Sequence, residues 1–264
     1  MCKYIKYMIC YLKKGALLLG TISIFLPFAL LEIVDIPQIF EYFIKLVLVA
    51  VFSICFFVYD YYIRKVFTIK TDKNIIEIKY GDIFEESGIK VIPFDVYFTK
   101  SVGDAVRDIN KNSLCGKFII NMQKDNKLEL LSDVLDNFNS LEFIQDNHGK
   151  KYKSGQIIKF DNYFLLAFAN LDNDGRAFMT KEDYLSCLLE LWKEINKNYA
   201  QNNVCIPLLG SGTTKLVDWN PTQQELLDTI ICSYKLSSEK LKKPQKLIIV
   251  CQRNQELSLN SYFY

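Results

Sequence analysis

The run Gly15–Leu31, GALLLGTISIFLPFALL, constrains this chain most: 17 consecutive residues carry no charge. Such a run has no polar face to turn toward water. Roughly 20 apolar residues cross a bilayer core as a helix, and this segment continues to about residue 34. A second apolar segment runs from about Ile39 to Ile63. Its centre, Leu46 to Tyr59, is uncharged, with Glu41 and Lys45 near the entrance and Asp60 near the exit. It fits a span when Lys45 or Asp60 reaches back to an interface. Pro27 kinks the first helix without abolishing it. No small-residue cleavage pattern precedes the second segment, which argues against a removed signal peptide. The expectation is a transmembrane helical hairpin over residues 1–65, with helices at about 15–34 and 39–63.

Basic residues orient it. Lys3, Lys6, Lys13 and Lys14 precede the first helix, and Arg64, Lys65 and Lys70 follow the second. The connecting loop holds Glu32, Asp35 and Glu41 and no basic residue before Lys45. The positive-inside rule puts the N-terminus and everything after residue 65 in the cytoplasm. The eight cysteines, scattered and without a CxxC, fit that reducing compartment. Net charge is only +2, which argues against a nucleic-acid partner held by bulk charge. His148 is the only histidine and lies in a polar turn, so no zinc site is expected.

Residues 66–264 read as one α/β domain. Strand-like runs occur at VFTIKT, NIIEIKYGDIF, KVIPFDVYF, YFLLAFANL, NVCIPLLGSG and KLIIVCQ. Helical periods occur at LLSDVLDNFNSLEFI, TKEDYLSCLLELWKEINKNYA and TQQELLDTIICSYKL. In the second helix Leu185, Leu188, Leu189 and Trp192 share a face, and Thr180 with Asp183 forms a capping box. Strands alternating with helices imply a sheet covered on both sides, with ligands beyond the carboxyl ends of its strands.

Two short stretches fall at such ends. In IPLLGSGTT, Gly210, Ser211 and Gly212 follow an apolar strand. Glycines there permit positive φ and close approach of the backbone. Successive amides make a nest for phosphate oxygens, to which the next helix adds its positive end; an ordinary tight turn explains the same residues. In KYGDIFEESG, Asp82 stands where a carboxylate accepts a hydrogen bond from an exocyclic amine, or merely caps a solvated turn. A third stretch, NLDNDGRAFMTK, puts Asn170, Asp172, Asp174 and Gly175 at calcium-loop spacing. Lys181 then occupies the position that needs a bidentate glutamate, so a turn before a capped helix is the expectation and no metal is assigned.

Taken in order, Gly-Asp-Ile after an early strand, an apolar strand into a loop, and Pro-Leu-Leu-Gly-Ser-Gly after a late strand resemble the macro domain. The resemblance implies a three-layer α/β/α fold with a mixed sheet that binds ADP-ribose and related nucleotides. It puts adenine at Asp82 and Ile83. It wraps the diphosphate and distal ribose with the stretch from Phe94 through Val96, Tyr97 and Phe98 to Thr99, and with Leu209, Gly210, Ser211, Gly212, Thr213 and Thr214. Two apolar N-terminal segments before FDVYFT, NSLCGKF and IPLLGSGTTKL further resemble the membrane-anchored macro-domain effectors of the type II Thoeris anti-phage system. That family implies a receptor for an ADP-ribose-derived signal, histidine-linked ADP-ribose, made from NAD by a TIR-domain partner, ThsB. The resemblance further implies that the bound state clusters as a homo-oligomer and disrupts the lipid bilayer, causing abortive infection. Hydrolases of the macro family carry an Asn-Ala-Asn stretch where this chain has IPFDVYFTKSVG. No Ser-His-Asp or Cys-His set is apparent either. The expectation is a receptor with no catalytic residue and no cofactor; an anchored ADP-ribosyl hydrolase is the alternative. Tyr97, Phe98 and Arg107 are the candidates for reading the ligand's distal group.

Overall fold

A computed structural model describes residues 66–259, apart from 72–73, 107, 139–140 and 254–256, together with scattered helical positions between 47 and 58. The chain divides into two compact units, Met1–Lys65 and Val66–Tyr264. The expected helices at 15–34 and 39–63 lie outside the described residues except at those scattered positions. Among the described residues no helix is long and apolar enough to cross a membrane.

The second unit begins with β1 (Val66–Lys70), which turns back on β2 (Ile75–Tyr80). Thr71 and Asn74 close the turn, the Thr71 hydroxyl donating to the Asn74 side-chain oxygen at 2.8 Å. A single 3-10 turn (Ile83–Glu85) leads to β3 (Ile89–Asp95). Then come α1 (Leu114–Lys124), α2 (Leu128–Asn137), β4 (Phe143–Asp146), β5 (Gly149–Tyr152), β6 (Ile157–Phe160), β7 (Tyr163–Leu171) and β8 (Ala177–Met179). The rest is α3 (Lys181–Asn198), β9 (Val204–Pro207), β10 (Lys215–Leu216), α4 (Gln223–Leu236) and β11 (Lys246–Cys251). The main sheet runs β1-β2-β11-β9-β3-β7-β8-β10, with β6 also on β7. β2, β11, β9, β3 and β7 are mutually parallel; β1, β6 and β8 pair antiparallel, so the sheet is mixed.

Alternation along the strands makes three layers. Ile76, Ile78, Val91, Ile206, Leu247 and Ile249 face α3 and α4, whose Leu188, Leu191, Trp192, Leu227 and Ile230 fill that side. Trp192 can be buried because its indole N–H donates to the Ser233 hydroxyl at 3.1 Å. Ile92, Phe94, Leu165 and Ala167 face the other way, onto Phe118 and Ile119 of α1 and Leu131 and Leu135 of α2.

Several expectations are corrected. The helix expected through LLSDVLDNFNSLEFI stops at Asn137, where Phe138 turns extended at ψ 103°. Its tail, with Phe143 and Ile144, is instead strand β4 of a separate hairpin with β5. The strand expected through KVIPFDVYF ends at Asp95, and Val96–Phe98 is a turn. In α3 the buried face is Tyr184, Cys187, Leu188, Leu191, Trp192 and Ile195, whereas Leu185 and Leu189 face outward. The capping boxes at Thr180–Asp183 and Thr222–Glu225 are both formed.

Candidate functional site

Because β2, β11, β9 and β3 are adjacent and parallel, the loops that follow them leave the sheet at one edge. Gly81–Glu86 and Val96–Thr99 therefore share that edge with Leu208–Thr214, which lies more than a hundred residues further along the sequence.

After β2, Asp82 is exposed and begins the 3-10 turn. Its Oδ1 accepts from the Phe84 amide at 3.0 Å, and its second oxygen has no protein partner among the described residues. Ile83 folds inward onto Cys205 of β9 and Ile248 and Val250 of β11, so the turn is pinned while the carboxylate stays outside. Burial pushes the Cys205 and Cys251 thiols up to about 12. Both remain protonated at neutral pH and pack as small apolar groups.

After β3, the residue that organises the turn is Asp95, which sequence reasoning did not single out. Its carboxylate accepts from the Tyr97 amide at 2.8 Å and the Thr99 amide at 3.3 Å, while its carbonyl accepts from the Phe98 amide at 3.1 Å. The Val96 amide donates to Ala169 at 2.9 Å. All four amides of Val96–Thr99 are thus engaged within the protein. Phe94, Val96 and Phe98 point into the core, the Phe94 ring meeting Phe118 at 6.0 Å. Phe98 takes a left-handed φ of +52°, an uncommon conformation for a bulky side chain. Tyr97 and Thr99 are the half-exposed residues of this stretch. Arg107 lies outside the described residues.

The loop after β9 has the opposite character. Gly210 has φ +82°, and a Cβ there would come within 3.2 Å of Tyr184. The Tyr184 hydroxyl donates to the Leu209 carbonyl at 3.0 Å, so α3 holds the loop from beneath. Leu209 is buried, and the Ser211 hydroxyl donates to the Leu208 carbonyl at 2.6 Å. Among the described residues the amides of Gly210, Gly212, Thr213 and Thr214 donate to no acceptor. Positive φ is needed at Gly210 only; Gly212 has open space around it. The helix expected to add its dipole does not follow directly. β10 intervenes, and α4 starts at Gln223 with its first turn closed by Thr222 and Glu225.

The calcium-like stretch is a tight turn between β7 and β8. Asp172 Oδ1 accepts from the amides of Asp174 at 2.9 Å and Arg176 at 2.8 Å. Sequence reasoning also missed the β4–β5 hairpin, whose Asp146 accepts from the Tyr97 hydroxyl at 2.7 Å. A strand-end Asp followed by Val-Tyr-Phe-Thr is a local signal that could have revealed the Asp95 turn. Nothing local pointed to the hairpin.

Comparison with known proteins identifies a family. A family model described as Thoeris protein ThsA, Macro domain, matches residues 76–252. The Thoeris protein ThsA of Bacillus amyloliquefaciens (strain Y2) is 33% identical over 204 residues, which cover 74% of this chain and 68% of the relative. Among solved structures, the Oceanobacillus iheyensis macrodomain with ADP overlaps at a TM-score of 0.41 and 11% identity, covering 72% of this chain and 90% of that one. The same macrodomain with MES bound overlaps at 0.38 and 13% identity, covering 72% and 90%.

Proposed function

We propose, from the premise that this chain belongs to the ThsA macro-domain family of Thoeris proteins, that residues 66–264 receive an ADP-ribose-derived nucleotide and that binding drives assembly at a membrane. One observation carries the reading: the amides of Gly210, Gly212, Thr213 and Thr214 have no acceptor among the described residues and stand beyond the carboxyl end of a central parallel strand. Backbone donors in such a cluster suit the oxygens of a diphosphate. Asp82, two strands away across the same edge, offers a carboxylate oxygen to an exocyclic amine. With the amides of Val96–Thr99 engaged internally, the phosphate contacts fall to the β9 loop, and the β3 loop supplies side chains.

On this reading the signal is histidine-linked ADP-ribose produced from NAD by a TIR-domain partner, ThsB. The chain is a receptor rather than an enzyme. Residues 1–65 hold it in the inner membrane as a two-helix hairpin, with the macro unit and the N-terminus in the cytoplasm. Ligand-driven homo-oligomerisation then disrupts the bilayer. Linkage sets the condition: the ligand must bind the assembled state more tightly than the free one.

The test is calorimetric titration of the full chain in lipid nanodiscs with ADP-ribose, NAD and histidine-linked ADP-ribose. Saturable binding of the last without turnover is expected. No binding of any of the three overturns the reading, and release of ADP-ribose from the conjugate replaces it with a hydrolase.

A further inference from the structure

Across the site edge, the loop after β2 lies to one side and the loop after β3 to the other, with β11 and β9 between them. A ligand with its base at Asp82 and its diphosphate on the β9-loop amides therefore carries its far end over β3. The β4–β5 hairpin is fastened to the β3 loop at that end. The Tyr97 hydroxyl donates to Asp146 Oδ2 at 2.7 Å. The His148 amide donates to Asp146 Oδ1 at 2.8 Å. The Tyr97 ring meets the His148 imidazole edge-on, centroids 6.1 Å apart. Beneath them the Tyr152 amide donates to the Val96 carbonyl at 2.9 Å, and the Tyr152 and Phe98 rings meet at 5.3 Å.

These contacts exceed what holding a hairpin requires. The Val96–Tyr152 bond and the Phe98–Tyr152 packing already anchor its base. The Tyr97 hydroxyl and the His148 amide instead hold the Asp146 carboxyl below its ordinary value, the hydroxyl contributing most. The result is an ionised carboxylate beside a phenol and an imidazole, at the end of the site away from Asp82. That combination attracts a cation or a strong N–H donor, through charge and through the ring faces. A negative charge at this end of the site also disfavours an unsubstituted nucleotide, whose diphosphate is itself negative.

We propose that the β4–β5 hairpin is the selectivity wall of the nucleotide site: Asp146 recognises a cationic, nitrogen-bearing substituent on the distal ribose of an ADP-ribose derivative, and Tyr97 positions Asp146 for it. This rests on the ADP-ribose reading above.

The experiment titrates the full chain in nanodiscs with two probes, ADP-ribose and histidine-linked ADP-ribose, and reads the ratio of their affinities. Asp146→Asn keeps the size of the side chain and removes its charge. It is expected to weaken the conjugate about tenfold, the scale of a lost hydrogen bond to a charged group, while ADP-ribose binds equally well or more tightly. Tyr97→Phe keeps the ring and releases the carboxylate; it is expected to weaken the conjugate alone by about threefold to tenfold. A merely structural role would lower the melting temperature and both affinities together, leaving the ratio fixed. An unchanged ratio in both variants, with wild type binding both probes, overturns the hairpin proposal alone. Wild type binding neither probe overturns the ADP-ribose reading and this proposal with it.

Discussion

Gly210 and Gly212 separate what the β9 loop needs for folding from what it offers a ligand. Gly210 sits at φ +82° with Tyr184 3.2 Å and Leu226 3.4 Å from where a Cβ would be. Gly210→Ala meets both the left-handed penalty and that crowding, and should cost about 1–3 kcal/mol in urea unfolding. Gly212→Ala should stay within about 0.5 kcal/mol of wild type, because nothing lies near its Cβ. A bulkier Gly212→Val should weaken nucleotide binding at unchanged stability; equal losses of stability at the two glycines would contradict the distinction. Asp95 belongs to the folding side as well. Its carboxylate is the acceptor for the Tyr97 and Thr99 amides, so Asp95→Ala should cost about 2 kcal/mol by leaving them without a partner. Burial raises its pKa above the ordinary 3.8 in the fold, against the opposing pull of those amides. The folded chain therefore keeps this proton where the unfolded chain has released it. The resulting stabilisation is fully present below the ordinary value and is lost as pH rises through the folded value. Wild type should gain stability relative to Asp95→Asn on going from about pH 7 to about pH 4.5, other carboxylates cancelling in the difference. A constant difference would show that Asp95 titrates alike in both states.

At the scale of elements, α3 shows how far a pattern can be read. Its start was legible, because Thr180 and Asp183 form a complete capping box. Its inward face was not. Apolar residues at 184, 185, 187, 188, 189, 191 and 192 leave two adjoining stripes, and both satisfy helical spacing. The choice fell to Tyr184, whose hydroxyl must reach the Leu209 carbonyl, a tertiary partner that no window of sequence contains. The consequence is measurable: Leu188, at 0% exposure, should cost about 2–5 kcal/mol on replacement by alanine. Leu189, at 48% exposure, should cost about 0.5 kcal/mol or less. Comparable losses at both would put the wrong face inward. The β4–β5 hairpin was hidden for a related reason. Leu141, Phe143 and Ile144 continue the apolar pattern of α2, while Phe143 and Ile144 are exposed in the structure, so no inside-outside alternation marked a strand. The parallel strands β3, β7, β9 and β11 were legible because burial on both faces makes them unbroken apolar runs. Asp82 and the Gly210–Gly212 loop could be picked out as candidates because they follow strand-like runs, while the internal engagement of the Val96–Thr99 amides could not be read in advance.

At the scale of the molecule, the macro unit carries its own core on both faces of its sheet, and contacts within Val66–Tyr264 define it as a unit apart from Met1–Lys65. Recognition and membrane action are therefore expected to separate cleanly. If assembly needs residues 1–65, reciprocity requires the truncated unit to bind histidine-linked ADP-ribose more weakly than the full chain, by the factor by which ligand favours assembly; if the macro unit assembles by itself, the two affinities should agree within about twofold. Switching a population from mostly free to mostly assembled takes about a 10⁴-fold preference of ligand for the assembled state, so the two cases lie far apart. The measurement pairs calorimetry on both forms with dye release from vesicles of bacterial lipids carrying the full chain. The expected outcome is release only with the full chain and only after the conjugate is added. Release without ligand would make the macro unit a mere cargo of the membrane segment. Ligand binding with no release would leave the receptor reading standing and direct the search to a protein acting downstream. A Gly212→Val chain that binds nothing yet still releases dye would break the link between site and membrane that the whole reading requires.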